Sequence, residues 1–306
     1  MILHRHVERV GRRLARPILT LGNFDGVHCG HQAIMRRAVA TARAIDGTAV
    51  ALTFHPHPLV VLAPDRAPLQ ITDWRSRMER IAATGMDAVI AQRFTRQFSE
   101  IDPVDFVERL LVDRLGVHGI VVGHRVSFGY RRAGNASTLE ELGRRHGFSV
   151  EVVGPIRVAD VEVSSSAIRR AIAAGDLGNA APLLGYDPIV AGRVVRGDQR
   201  GRTLGFPTAN LRVKGWVLPP DGVYAVTAVV DGVPHAAVAN LGRRPTFGEF
   251  ERGLEVHLID WSGDLYGKRL EVRLKACLRG EAKFEGPEAL VRQILRDVDA
   301  TRALLG

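Results

Sequence analysis
Halfway along the chain the hydrophobic period changes, and no single motif restricts the fold as much as that change. In the first half, short continuous apolar runs at Ile18–Leu21, Thr48–Phe54, Asp87–Ala91, Gly119–Val122 and Val150–Val153 read as strands covered on both faces. Helical patterns lie between several of them: Gln32–Ala44, and Pro103–Leu115 with Asp102 as its N-cap and Pro103 at the first helical position. Elements alternating in this way predict a parallel sheet flanked by helices, which binds ligands beyond the carboxyl ends of its strands. In the second half, Leu254, Val256 and Leu258 alternate with Glu255 and His257, and Leu270–Ala276 alternates likewise. Asp231-Gly232, set between Val229-Val230 and Val233, suits the positive φ angles of a type I′ hairpin turn. A small antiparallel barrel or sandwich follows, closed by an amphipathic helix over Pro287–Leu305 with Leu290, Ile294 and Val298 on one face. Gly185-Tyr186-Asp187-Pro188 interrupts a helical pattern, so the expected domains are residues 1–185 and 186–306.

At 306 residues, 46% hydrophobic and 25% charged, the chain can bury two cores. No apolar run reaches the ~18 residues of a membrane span. The first residues are charged and lack the apolar stretch of a secretory signal, and Glu8 argues against a transit segment. Cys29 and Cys277 are too few for a disulfide framework and fit a reducing cytoplasm, the expected location. The net charge of +9 invites a nucleic-acid partner. All but Lys214, Lys268, Lys275 and Lys283 of the 42 basic residues are Arg, however, scattered in pairs such as Arg36-Arg37 and Arg144-Arg145. That pattern reads as Arg standing for Lys over a whole surface, so no nucleic acid and no membrane are expected as partners. A homo-oligomer is left open.

Two unlike phosphate-handling loops stand on this frame: GNFDGVHCGH at Gly22–His31 and RGDQRGRTLGFPTANL at Arg196–Leu211. In the first, a helix starting near Cys29 puts His28 and His31 on one face beside free backbone amides and the positive end of the helix dipole. Donors placed there stabilise charge on an α-phosphate, although two histidines at this spacing also make an ordinary helix start. Ser164, Ser165 and Ser166 open a further helix, where serines cap the helix or donate to phosphate, and Arg169 is placed to reach outer phosphates. In the second loop, Gly197, Gly201 and Gly205 allow close approach to phosphates, and the absence of the Walker G-K-[ST] ending rules out a P-loop.

GNFDGVHCGH, TFHPHP at Thr53–Pro58, VVGHRVSFG at Val121–Gly129 and VSSSAIR resemble the adenylyltransferase half of bacterial bifunctional riboflavin kinase/FMN adenylyltransferases. GRTLGFPTANL, GVYAV, ANLGRRPTF, EVHLID and GDLYGKRLEV resemble the kinase half. The resemblance implies an α/β Rossmann-like nucleotidyltransferase domain with a parallel sheet, then an antiparallel Greek-key β-barrel flavokinase domain with a C-terminal helix. It implies that riboflavin and ATP give FMN, and that FMN and ATP give FAD and pyrophosphate. His28 and His31 then act in adenylyl transfer, with Gly22, Phe24, Asp25, Ser165, Ser166 and Arg169 at ATP and Pro56 and Phe128 at the flavin. In the kinase, Glu255 is the implied base, Thr208 and Asn210 the Mg²⁺ ligands, Gly197, Gly201, Arg202, Gly205 and Pro207 the ATP loop, and Arg279 a flavin contact. Where the family commonly has Asp or Asn and then Phe, this chain has Arg125 and Val126; Ser166 replaces the usual Thr, and Ala167 a frequent Arg. Two alternatives follow from these departures and from the charge: a riboflavin kinase with an impaired first domain, and a basic nucleic-acid-binding or regulatory module on an inactive nucleotidyltransferase fold.

Overall fold
A computed structural model describes the backbone of residues 1–306 except 11–13, 198–200, 202–203 and 247–248, and side chains except those and 244–251. Contacts divide the chain into two compact units, Met1–Pro68 with Trp74–Ser164, and Leu69–Asp73 with Ser165–Gly306.

The first unit holds a six-stranded parallel sheet in the order β1-β4-β3-β2-β5-β6, from β1 (Ile2–Arg5), β2 (Pro17–Leu21), β3 (Thr48–His55), β4 (Ala88–Arg93), β5 (Gly119–Gly123) and β6 (Ser149–Val153). All five strands expected from apolar runs form. β1 went unread because it is a short, largely exposed edge strand with no apolar run. Buried Leu19, Val50, Leu52, Ile90 and Ile120 point to one core, and Ile18, Ala49, Ala51, Val89 and Val121 to another, as period two requires of a sheet covered on both faces. Asp102 caps the Pro103 helix as expected, accepting from the Val104 N–H at 2.8 Å, but over Phe106–Arg114 the helix widens to π geometry. The strand order reverses at β2, which pairs with β3 on one side and β5 on the other. The loops after β2 and β5 therefore flank the crevice where such sheets bind ligands. Beyond β6, β7 (Arg157–Val158) and β8 (Val161–Glu162) form a small hairpin.

The second unit is a closed barrel in the order β10-β13-β12-β11-β14-β9. Its strands are β9 (Ile189–Val195), β10 (Ala209–Arg212), β11 (Gly222–Val230), β12 (Val233–Thr246), β13 (Glu249–Leu258) and β14 (Arg269–Arg279). Hairpin-linked β11, β12 and β13, with β14 returning beside β11, make the Greek key. Asp231 (φ 49°) and Gly232 (φ 88°) form the β11–β12 turn with the expected positive angles. Leu254, Val256 and Leu258 point into the barrel core, while Val223 and Val238 face outward under Val298 and Ile294 of the helix Pro287–Leu305. Leu177, from the helix Leu177–Leu184, is part of the barrel core, so packing assigns residues from Ser165 onward to this unit and not to the first. So does Gln70, whose N–H donates to the Gly215 carbonyl and whose own carbonyl accepts from Val217.

Candidate active sites
In the first unit, β2 ends in a loop whose backbone is left-handed at Phe24 (φ 50°), Gly26 (φ 82°) and Val27 (φ 35°). Such angles at non-glycine residues cost on the order of 1–3 kcal/mol each and persist only where the surroundings fix them. Gly22 is required here, since a Cβ would come within 2.9 Å of the Phe24 ring. Phe24 is buried and meets His31 edge-on at 5.2 Å. His28 caps the helix Cys29–Ala44: its Nδ1 accepts from the His31 N–H at 3.3 Å, which puts the proton of a neutral His28 ring on Nε2. The His28 and His31 rings stack at 3.6 Å, with Gly30 leaving room beside the His28 ring. Loss of solvent first, then the neighbouring His28 and Arg77, hold His31 well below the usual histidine range. His31 is thus a neutral hydrogen-bonding group at neutral pH and not a cation.

The loop is held from the helix Trp74–Ala83. Buried Arg77 donates from Nη1 to the Asn23 carbonyl at 3.1 Å and from Nη2 to Asp25 Oδ1 at 3.2 Å. Thr53 Oγ1 also donates to Asn23 O at 3.3 Å, and Gln32 Nε2 to Val27 O at 2.9 Å. Asp25, expected at ATP, is a buried partner of Arg77. Arg77 was not found from sequence. Its signal was a charge four residues before buried Ile81, on the apolar stripe of an amphipathic helix.

Pro56 follows a cis peptide bond after His55 and is half-buried. Phe128, expected at the flavin, is a core residue, 5% exposed and packed at 5.5 Å against Phe106. At the end of β5, Arg125 donates to Glu162 Oε2 at 2.8 Å, and His124 lies 3.2 Å from Glu162 Oε1. The charge that departs from the family pattern thus has an acidic partner within its own unit. In the second unit, Ser165 and Ser166 open the helix Ser165–Ala173, while Ala167 is buried. Arg169 Nε donates to the Leu69 carbonyl at 2.7 Å.

The barrel site is a row across three strands. Asn210 of β10 and Asn240 of β12 both pair in register with Glu255 of β13. Since Ala209, Leu211, Leu254 and Val256 fill the core, pleating turns Asn210 and Glu255 to the opposite face. Thr208 Oγ1 lies 3.5 Å from Glu255 Oε2. Asn210 is 6% exposed, and its Oδ1 has no hydrogen-bond partner among the described residues. A Cβ at Gly197 would come within 2.6 Å of that oxygen, so glycine is what lets the backbone at residue 197 approach it. Phe206 N–H donates to the Gly201 carbonyl at 2.8 Å, a Cβ at Gly201 would overlap Phe206 O, and Gly205 is left-handed (φ 86°). His257, on the Glu255 face, bonds through Nδ1 to the Pro207 carbonyl at 2.9 Å. Pro207, Thr208, Asn210 and Val256 line a cavity of about 450 Å³, together with Trp261 and Tyr266, which sequence reasoning did not single out. Arg202 lies outside the described residues.

Arg279, expected at the flavin, is engaged by the protein itself. Its Nη2 and Nε meet the buried Asp297 carboxylate at 2.9 and 3.1 Å, and Nη1 donates to Gly280 O at 3.2 Å, pinning the end of β14 to the C-terminal helix. Low solvent access and a fork geometry make this a clamp.

Residues 12–167 match the FAD synthetase family and residues 184–305 the riboflavin kinase family. The bifunctional riboflavin kinase/FMN adenylyltransferase of Escherichia coli K12 is 39% identical over 290 residues, 94% of this chain and 93% of that protein. The chain belongs to that family. The Pseudomonas fluorescens member is 40% identical over 94% of this chain and 92% of its own length, and the Haemophilus influenzae member 37% over 99% of both. A crystal structure from Streptococcus pneumoniae, titled a macrolide-efflux protein, superposes over 99% of both chains with a TM-score of 0.88 at 30% identity. Among the described residues, no helix is long and apolar enough to cross a membrane.

Proposed function
We propose that the barrel unit phosphorylates riboflavin with ATP to FMN, and that the parallel-sheet unit joins FMN and ATP into FAD and pyrophosphate. The observation that carries the kinase assignment is the Glu255 carboxylate set 3.5 Å from Thr208 Oγ1 and in register with Asn210. A primary hydroxyl is a poor nucleophile at neutral pH, so Glu255 takes the proton of the riboflavin 5′-hydroxyl as that oxygen attacks the γ-phosphate. Thr208 Oγ1 and Asn210 Oδ1, which has no partner among the described residues, are hard oxygen donors, the kind that Mg²⁺ takes, and these residues would hold it. Bound there, Mg²⁺ offsets the charge of the ATP phosphates. Gly197, Gly201, Gly205 and Pro207 shape the backbone that approaches those phosphates.

In the first unit the nucleophile, the FMN phosphate, is already ionised, so placement and charge stabilisation suffice. His28 Nε2–H and the backbone amides of the Cys29 helix donate to the polyphosphate, with Gly22 and Phe24 shaping the loop. Pro56 lies on the flavin side, and Ser165, Ser166 and Arg169 are assigned to ATP by their place in the family motif. The catalytic halves are taken as residues 1–185 and 186–306, supported by Gly185 (φ 78°), which ends the helix before β9. The protein is assigned to the cytoplasm, and the scattered arginines to no nucleic-acid partner.

Chromatography of flavins after incubation with Mg-ATP tests this directly. FAD from both riboflavin and FMN is the expected result. FMN accumulating without FAD would leave a kinase alone, and no product from either substrate would refute the assignment.

A further inference from the structure
The stretch from Phe24 to Val27, left-handed at Phe24, Gly26 and Val27, sets the start of the Cys29 helix, and with it the positions of His28 and His31. Val27 is β-branched, for which a positive φ is a true outlier, so this backbone needs outside restraint. Arg77 reaches the stretch at two points, the Asn23 carbonyl and the Asp25 carboxylate, and is itself 7% exposed. Its charge is balanced inside the unit by Asp25, 5% exposed at the side chain, and not by solvent. We infer that Arg77 is a positioning residue for adenylyl transfer: its guanidinium holds the Asn23–Val27 backbone in the shape that aims the His28 and His31 rings.

The geometry favours arginine over lysine. A planar fork serves a carbonyl and a carboxylate from two nitrogens at once, whereas an ammonium is a single point. Arg77 also acts on His31 through space, since its positive charge is among the causes that keep that ring neutral. Holding the loop and suppressing protonation of His31 are separable, because the first sets the rate at the pH optimum and the second sets the acid limb of the pH profile.

The test rests on the adenylyl-transfer assignment and uses the full chain, with FMN formation from riboflavin as a report of the barrel unit and an unchanged circular-dichroism melting profile as the report that the parallel-sheet unit, which holds Arg77, is folded. Arg77→Met is expected to lower kcat for FAD formation from FMN about 100-fold, the scale of a misplacement near 1 Å, with the KM for FMN within about twofold and riboflavin phosphorylation unchanged. Its acid limb moves to higher pH, because His31 loses a positive neighbour. Arg77→Lys keeps the charge and one contact, so it retains the parental acid limb and recovers about tenfold of the rate. An Arg77→Met enzyme with parental kcat and pH profile would overturn the inference, as would parallel loss of both activities in the Met and Lys variants alike. If the parent itself makes no FAD from FMN, the adenylyl-transfer assignment fails instead.

Discussion
In the parallel-sheet unit the groups assigned to polyphosphate hang on a loop with positive φ at Phe24, Gly26 and Val27, whereas in the barrel Asn210 and Glu255 face one another across hydrogen-bonded strands. The loop carries its own conformational cost and is restrained by side chains far away in sequence, Arg77 above all. The barrel row inherits its spacing from the strand ladder, which a side-chain change does not move. A site of the first kind is sensitive to residues that never touch substrate; one of the second kind responds mainly to the reacting groups themselves.

The largest effect that bears on this contrast is at Glu255. Glu255→Gln keeps the shape of the row and removes the base, so FMN formation should fall about 10²- to 10⁴-fold while FAD formation from supplied FMN stays at the parental rate. Loss of both activities in a folded variant would sink the assignment. His28→Ala is the converse: FAD formation should drop about 10²- to 10³-fold, with FMN formation intact, since a donor and the helix cap go together.

Stability separates the units next. Arg279→Met strands Asp297 without its cation, and breaking a buried pair of this kind costs about 3 kcal/mol, read as a lower urea midpoint. An unchanged midpoint with weakened flavin binding would restore the ligand contact expected of Arg279. The smallest effect concerns Asp87. Hydrogen bonds from Arg43 first, then the Ala49 N–H and the charge of Arg43, hold its carboxyl below the usual carboxylate range. A carboxyl depressed on folding stabilises above its unfolded pKa, near 4, and loses that contribution as pH falls through its folded value. Melting temperatures of parent and Asp87→Asn should therefore differ by a constant amount above about pH 5 and converge in acid; a gap that persists in acid would show that packing, and not charge, matters there.

The parts legible in sequence were those written locally. Continuous apolar runs give the central strands, alternation around Glu255 gives β13 and its outward face, and Asp231-Gly232 gives the turn. The fork of Arg279 on Asp297, the burial of Phe128 and the hold of Arg77 on Asp25 join residues 18 or more apart in sequence, and nothing in the local spacing of either partner announces the other. A charged residue on an apolar stripe was the one available hint. Resemblance to a family identifies residues that belong to a site, but it does not separate those that touch a ligand from those that hold the wall.

Five residues from the middle of the first sequence half, Leu69–Asp73, pack with the barrel: Gln70 bonds to Gly215 and Val217, and Asp73 accepts from Arg269 Nη2 at 3.0 Å. No single cut in the polypeptide therefore releases both units whole. Severing after residue 164 or after residue 185 leaves the barrel without a stretch of backbone it packs with, so the halves cannot be exchanged between relatives as beads on a string; a chimaera has to carry that short segment along with the barrel it serves.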